Sequence, residues 1–229
     1  MSTAADLQEE ELESRWEAAP AVAVAIALQL TLALISKSQG WTLWHLPWWW
    51  WLVPVVPETI LLLTLALSAP HRRLVQSGRR RSVGMTLFAV ISVANALALV
   101  ALIVSLVNGE VTSGPELMLD AVTIWSTNVI VFGLWFWGVD RGGPVRRRQT
   151  NPPPPDFQFP QMENPQLAEP GWHARLIDYL YVSLTNSIAF SPTDAMPLTR
   201  RTKVLMGAES AVSALTVLLV AARAVNILK

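Results

Sequence analysis

The sequence predicts an all-α membrane protein: five transmembrane helices, with a re-entrant or interfacial helix-loop before the last. Three observations carry that prediction. Of 229 residues, 52% are hydrophobic and only 15% are charged, whereas soluble domains carry about a quarter charged residues. Five segments, 18–35, 48–69, 84–107, 117–139 and 204–228, are apolar enough to cross a bilayer, which takes about 20 helical residues. Lys and Arg collect in alternate connections between them, the pattern of the positive-inside bias.

Each element follows from its residues. Residues 1–17 form an acidic head, and an acidic head argues against a signal peptide, which begins with a basic region; the first apolar segment is therefore expected to be a retained span. The second contains Pro54 and Pro57, which are expected to free backbone carbonyls and kink it. Four spans thus make up a transmembrane region over 18–139. Residues 140–171 are an Arg- and Pro-rich linker, in which Asn151-Pro-Pro-Pro-Pro155 favours stiff polyproline II and Pro160, Pro165 and Pro170 are expected to forbid a helix. Residues 172–229 hold the helix-loop and the last span. Arg72, Arg73, Arg79, Arg80 and Arg81 follow span two. Arg141, Arg146, Arg147 and Arg148 follow span four, and Arg200, Arg201 and Lys203 precede span five. The opposite connection carries Glu110 and Glu116 instead. This distribution places the N-terminus in the cytoplasm of a multi-pass protein of the cell's inner (plasma) membrane. Trp41, Trp44 and Trp48 to Trp51 then form the outer aromatic belt, and Trp135 and Trp137 the inner one.

Several function classes are excluded. A formal net charge of zero gives no footprint for nucleic acid. No cysteine is present, and His45, His71 and His173 lack ligand spacing, so no metal site is expected. No phosphate loop, nucleophile elbow or convergent acid–histidine set appears; the reading is a non-enzyme without a cofactor.

The stretch from Tyr181 to Pro197 is too polar for an ordinary membrane helix. Polar, non-helical backbone at membrane depth is tolerated only in protein or beside water. Leu176, Tyr179, Leu180 and Ser183 recur at helical spacing. Thr185, Asn186 and Ser187 then read as an extended polar stretch, with Pro192 blocking any further helix and a turn at Thr193-Asp194. The arrangement Tyr181-Val-Ser-Leu-Thr185 followed by Asp194 and Pro197, between two spans, resembles the pore region of two-helix potassium channels. There a helix leads into Thr-Val-Gly-Tyr-Gly-Asp with a proline three residues later. Those six positions fall on Ala189, Phe190, Ser191, Pro192, Thr193 and Asp194. The last 60 or so residues, through Val225-Asn226, also resemble an uncharacterised bacterial family of small integral membrane proteins. The resemblance implies an ion-channel-like protein in the lipid bilayer, assembled as a homo-tetramer and passing a monovalent cation. Ser191 and Thr193 stand where the filter has glycine, which argues against selective potassium conduction. The alternative is a non-conducting membrane scaffold or interaction protein that keeps the loop for packing.

Ionisable groups at membrane depth are functional candidates. Glu58, near the middle of span two, and Glu209, two turns into span five, are expected either to bind a cation or relay a proton, or to pair with a neighbouring helix, Glu58 with Arg223 for example. Gln29, Asn95 and Asn128 are expected to be hydrogen-bond glue between helices.

Overall fold

Apolar residues on every side of a helix bury it in protein or in lipid, and four helices of this chain are long and apolar enough to cross a membrane: 19–39, 84–107, 114–142 and 200–222. The structure, a computed structural model, describes residues 18–41, 47–66, 79–109, 114–149, 151–166, 168–191 and 194–227. The acidic head, Trp44, His45, Arg72, Arg73, His71, Glu110, Pro192 and Thr193 lie outside those residues, as does the side chain of Arg223. The first helices are α1 (Ala19–Gln39), α2 (Val55–Ala66), α3 (Arg79–Val107) and α4 (Gly114–Val139). A short α5 (Pro144–Arg147), strand β1 (Phe157–Gln158), one-turn α6 (Pro160–Glu163), α7 (Leu176–Ala189), β2 (Met196–Pro197) and α8 (Arg200–Ile227) follow.

α4 is the central element, packed against α1, α3, α7 and α8. Its buried face is unusually broad. Two apolar clusters stack along it. One gathers Val22 of α1, Leu61 of α2, Phe88 of α3, Phe136 of α4, Tyr179 of α7 and Met206 of α8; we call this the cap end. The other gathers Leu32, Trp51, Leu102, Leu117 and Ile124 at the far end. Successive long elements therefore alternate in direction. Outward-facing Val24, Leu34, Val93, Val204 and Leu218 stay more than half exposed, an apolar exterior that water would penalise and lipid would not.

Three expectations need correcting. The segment expected as span two is composite: a 3-10 turn at Trp48–Leu52 leads into the 12-residue α2. Pro54 and Pro57 sit at the start of α2, where a missing N–H costs nothing, and do not kink a long helix. Thr185, Asn186 and Ser187 are helical, since α7 continues to Ala189. Nor do the prolines of the linker all forbid a helix. The linker's Phe157 and Phe159 are buried, β1 pairs antiparallel with β2, and Pro160 opens α6 at N1, the one helical site a proline suits.

Candidate functional site

α7 is amphipathic, which decides where its polar residues go. Leu176, Tyr179, Val182, Ser183, Asn186 and Ser187 face inward, while Ile177, Tyr181 and Ile188 face out. Asp178 at N3 accepts a 2.7 Å hydrogen bond from the Arg175 N–H, fixing the helix start. α7 lies close against α4 because Gly133 lacks a side chain: a Cβ there would sit 3.1 Å from the Leu180 Cα.

This close approach builds a buried polar node around Glu209 of α8. Asn186 donates to Glu209 Oε2 at 2.7 Å and to the Met206 carbonyl at 3.0 Å. Asn128 of α4 donates to the Glu209 carbonyl at 3.2 Å and to Ser213 at 3.0 Å. Ser183 bonds both Glu209 Oε1 and, at 2.7 Å, the Val129 carbonyl. Through this one hydroxyl α7 is tied to α4 and α8 together. Glu209 is thus partnered on both oxygens by a neighbouring helix, α7.

Beyond Ala189 the helix ends on Phe190, left-handed at φ 54°, whose N–H bonds the Asn186 carbonyl at 2.9 Å. The chain then doubles back. The Tyr181 hydroxyl meets the Asp194 carboxylate, and β2 returns to β1 at the cap end. Of the residues expected in the pore loop, Asn186 and Ser187 are buried in the protomer, Thr185 is half-buried, and Ala189, Phe190, Ser191 and Asp194 are exposed.

A second polar centre closes the cap end, and no sequence motif announced it. Asp140 is fully buried. Its Oδ1 accepts the backbone N–H groups of Asp156 at 2.8 Å and Phe157 at 3.2 Å. Its Oδ2 accepts the Tyr179 hydroxyl at 2.5 Å and pairs with Arg147 at 3.3 Å. Arg147 also lies over the Tyr179 ring, 4.8 Å from its centroid. Asp156 in turn accepts the Arg141 N–H at 3.0 Å and the Thr199 hydroxyl at 2.9 Å. The linker is thereby tied to the ends of α4, α7 and α8.

The third centre lies midway along the bundle. Glu58, in the first turn of α2, accepts a 2.7 Å hydrogen bond on Oε1 from Gln29, the central residue of α1. Glu58 is thus paired with a neighbouring helix; the pairing expected with Arg223 falls on a side chain outside the described residues. Gln29, Asn95 (3.1 Å to the Ile124 carbonyl) and Asn128 all bridge helices as expected.

No family model matches the sequence, and neither a curated protein nor a solved structure is significantly similar to it.

Proposed function

We infer that the chain is a five-pass, ion-channel-like membrane protein whose helix-loop re-enters the membrane and whose pore forms between several copies, four in the simplest case. The exposed apex of the loop carries this reading. Leu180 packs on Gly133, and Phe190 lies ten residues further along, about 15 Å at 1.5 Å per residue. The apex therefore reaches roughly the middle of α4 and α8, with Phe190, Ser191 and Asp194 facing out of the protomer. Non-helical backbone at that depth is not tolerated against lipid, so a second copy or water must cover it. Around such an axis Ser191 and the nearby carbonyls would coordinate a permeant monovalent cation and Asp194 would raise its local concentration. The cationic connections at the cap end support a cytoplasmic N-terminus.

The absence of cysteine makes the test clean. Ser191→Cys should form disulfide-linked dimers between copies, native mass spectrometry should give a closed oligomer, and a cationic thiol reagent should reduce cation flux into liposomes. A monomer in mild detergent without flux would sink this reading. A second reading, a non-conducting scaffold, is favoured by the burial of Asn186 and Ser187 within their own protomer; an oligomer without flux would select it.

A further inference from the structure

We propose that Glu58 is a reversible proton-binding site that shares one water molecule with Thr127 and is reached from the far end of the bundle along a polar stripe on α4. This does not depend on the role of the loop. Three buried polar atoms have no hydrogen-bond partner here: Glu58 Oε2, Gln29 Oε1 and Thr127 Oγ1. Their residues are 1%, 2% and 2% exposed. Glu58 and Thr127 both line a cavity of about 10 Å³ whose other walls, such as Ile91 and Leu134, are apolar; that is the lower limit for one water. Two of the three orphans are acceptors only when Glu58 is ionised, so a donor is what the site lacks. A proton on Glu58 Oε2 supplies one, and a water between it and Thr127 gives both of these atoms a partner.

Among the described residues no cation approaches the carboxyl, and an unpaired buried charge is costly. From α1 comes Gln29; the one described cation of α1, Lys37, lies eight residues on, about 12 Å, over the Trp48 ring. α3 brings Ile91, and α4 brings Thr127. The titratable groups that face the site along α4 are acids. Glu116, Asp120, Thr123 and Thr127 are all buried, and offsets of four, seven and eleven residues at 100° each keep them within about 60° of one another. The stripe runs from the far-end terminus of α4 to the cavity, giving a proton carboxyl and hydroxyl groups to pass along.

Infrared difference spectroscopy on the full chain in liposomes tests this. The wild-type minus Glu58→Gln spectrum should contain a protonated-carboxyl carbonyl band at neutral pH. That band should shift in heavy water and give way to carboxylate bands at alkaline pH. Carboxylate bands at neutral pH would overturn the proposal. Should Glu58→Gln not fold, Glu58→Asp keeps an acid one methylene shorter and must move the same band; an unmoved band would reject the assignment. Thr127→Val should slow deuteration of the carboxyl about tenfold, the scale of one lost hydrogen bond, and an unchanged rate would refute the path.

Discussion

Asp140 shows how much one side chain holds. Its two oxygens accept two backbone N–H groups, a tyrosine hydroxyl and an arginine, so replacing it orphans groups on three segments at once. Asp140→Asn puts an amide where only acceptors fit, and we expect it to cost about 3 kcal/mol or more, read as a lower melting temperature in detergent. A change under about 0.5 kcal/mol, the scale of a surface substitution, would mean that water replaces the network. The sequence offered a weak signal for this centre: an aspartate directly after an apolar span, with Arg147 two turns on. Its other partners, Asp156, Phe157 and Tyr179, are set by how the linker folds back, and nothing local encodes that. The amides were easier. Gln29, Asn95 and Asn128 stand alone in apolar helices, and an amide in that setting has to find a partner on a neighbour. Glu58 was legible as a buried acid that pairs with a neighbouring helix, but Gln29 was not legible as the partner, because two helix faces had to be matched to select it.

At the scale of elements, α7 is held by the gap at Gly133. Gly133→Ala brings a methyl to 2.6 Å from Leu180 Cδ2 and 3.1 Å from its Cα. The first contact can relax by rotation, whereas the second requires the helix to move. We expect a loss of about 1–3 kcal/mol and faster proteolysis between Arg148 and Trp172; unchanged protease sensitivity would mean that α7 docks without the close approach. In the sequence, the inward face of α7 was visible up to Ser183 and then lost. Thr185, Asn186 and Ser187 read as an end to the helix because polar residues gain from burial only where a partner waits; Thr185 and Ser187 find theirs in carbonyls of α7 itself, and Asn186 in Glu209 on another helix. The linker misled for a similar reason. Its prolines advertise extended chain, yet Phe157 and Phe159, alternating with Gln158, mark a segment with one face to bury. Phe157 packs 5.2 Å from Phe136 and 6.1 Å from Tyr179, ring centre to ring centre. Phe157→Ala should cost about 3–5 kcal/mol in thermal unfolding, far more than a change in an idle spacer.

For the whole molecule, hydropathy carried most of the architecture. Four long helices fall where apolar runs predict, since a bilayer asks only for length and low charge. The passage from Trp48 to Ala66 is not the single helix its hydropathy suggests, because the chain breaks between the 3-10 turn and α2, yet it still joins the far cluster at Trp51 to the cap cluster at Leu61. The site was legible in part: Glu58 and Glu209 were found by their cost in an apolar setting, while the stripe on α4 was not. Thr123 and Thr127 gain meaning only once Glu116 and Asp120 are seen on the same buried face.

The network at Asp140 also bears on the order in which this chain is made. Synthesis completes α4, and with it Asp140, before any of the groups that satisfy it exist; Tyr179 follows 39 residues later. At the completion of α4 the nascent bundle ends in an acid with none of its partners, beside a Phe136 ring that Phe157 has yet to cover. Arrival of α7 converts that wet end into a dry one in a single step. A chain interrupted before Tyr179 therefore carries a wet acid beside aromatic rings, a surface that the finished cap covers.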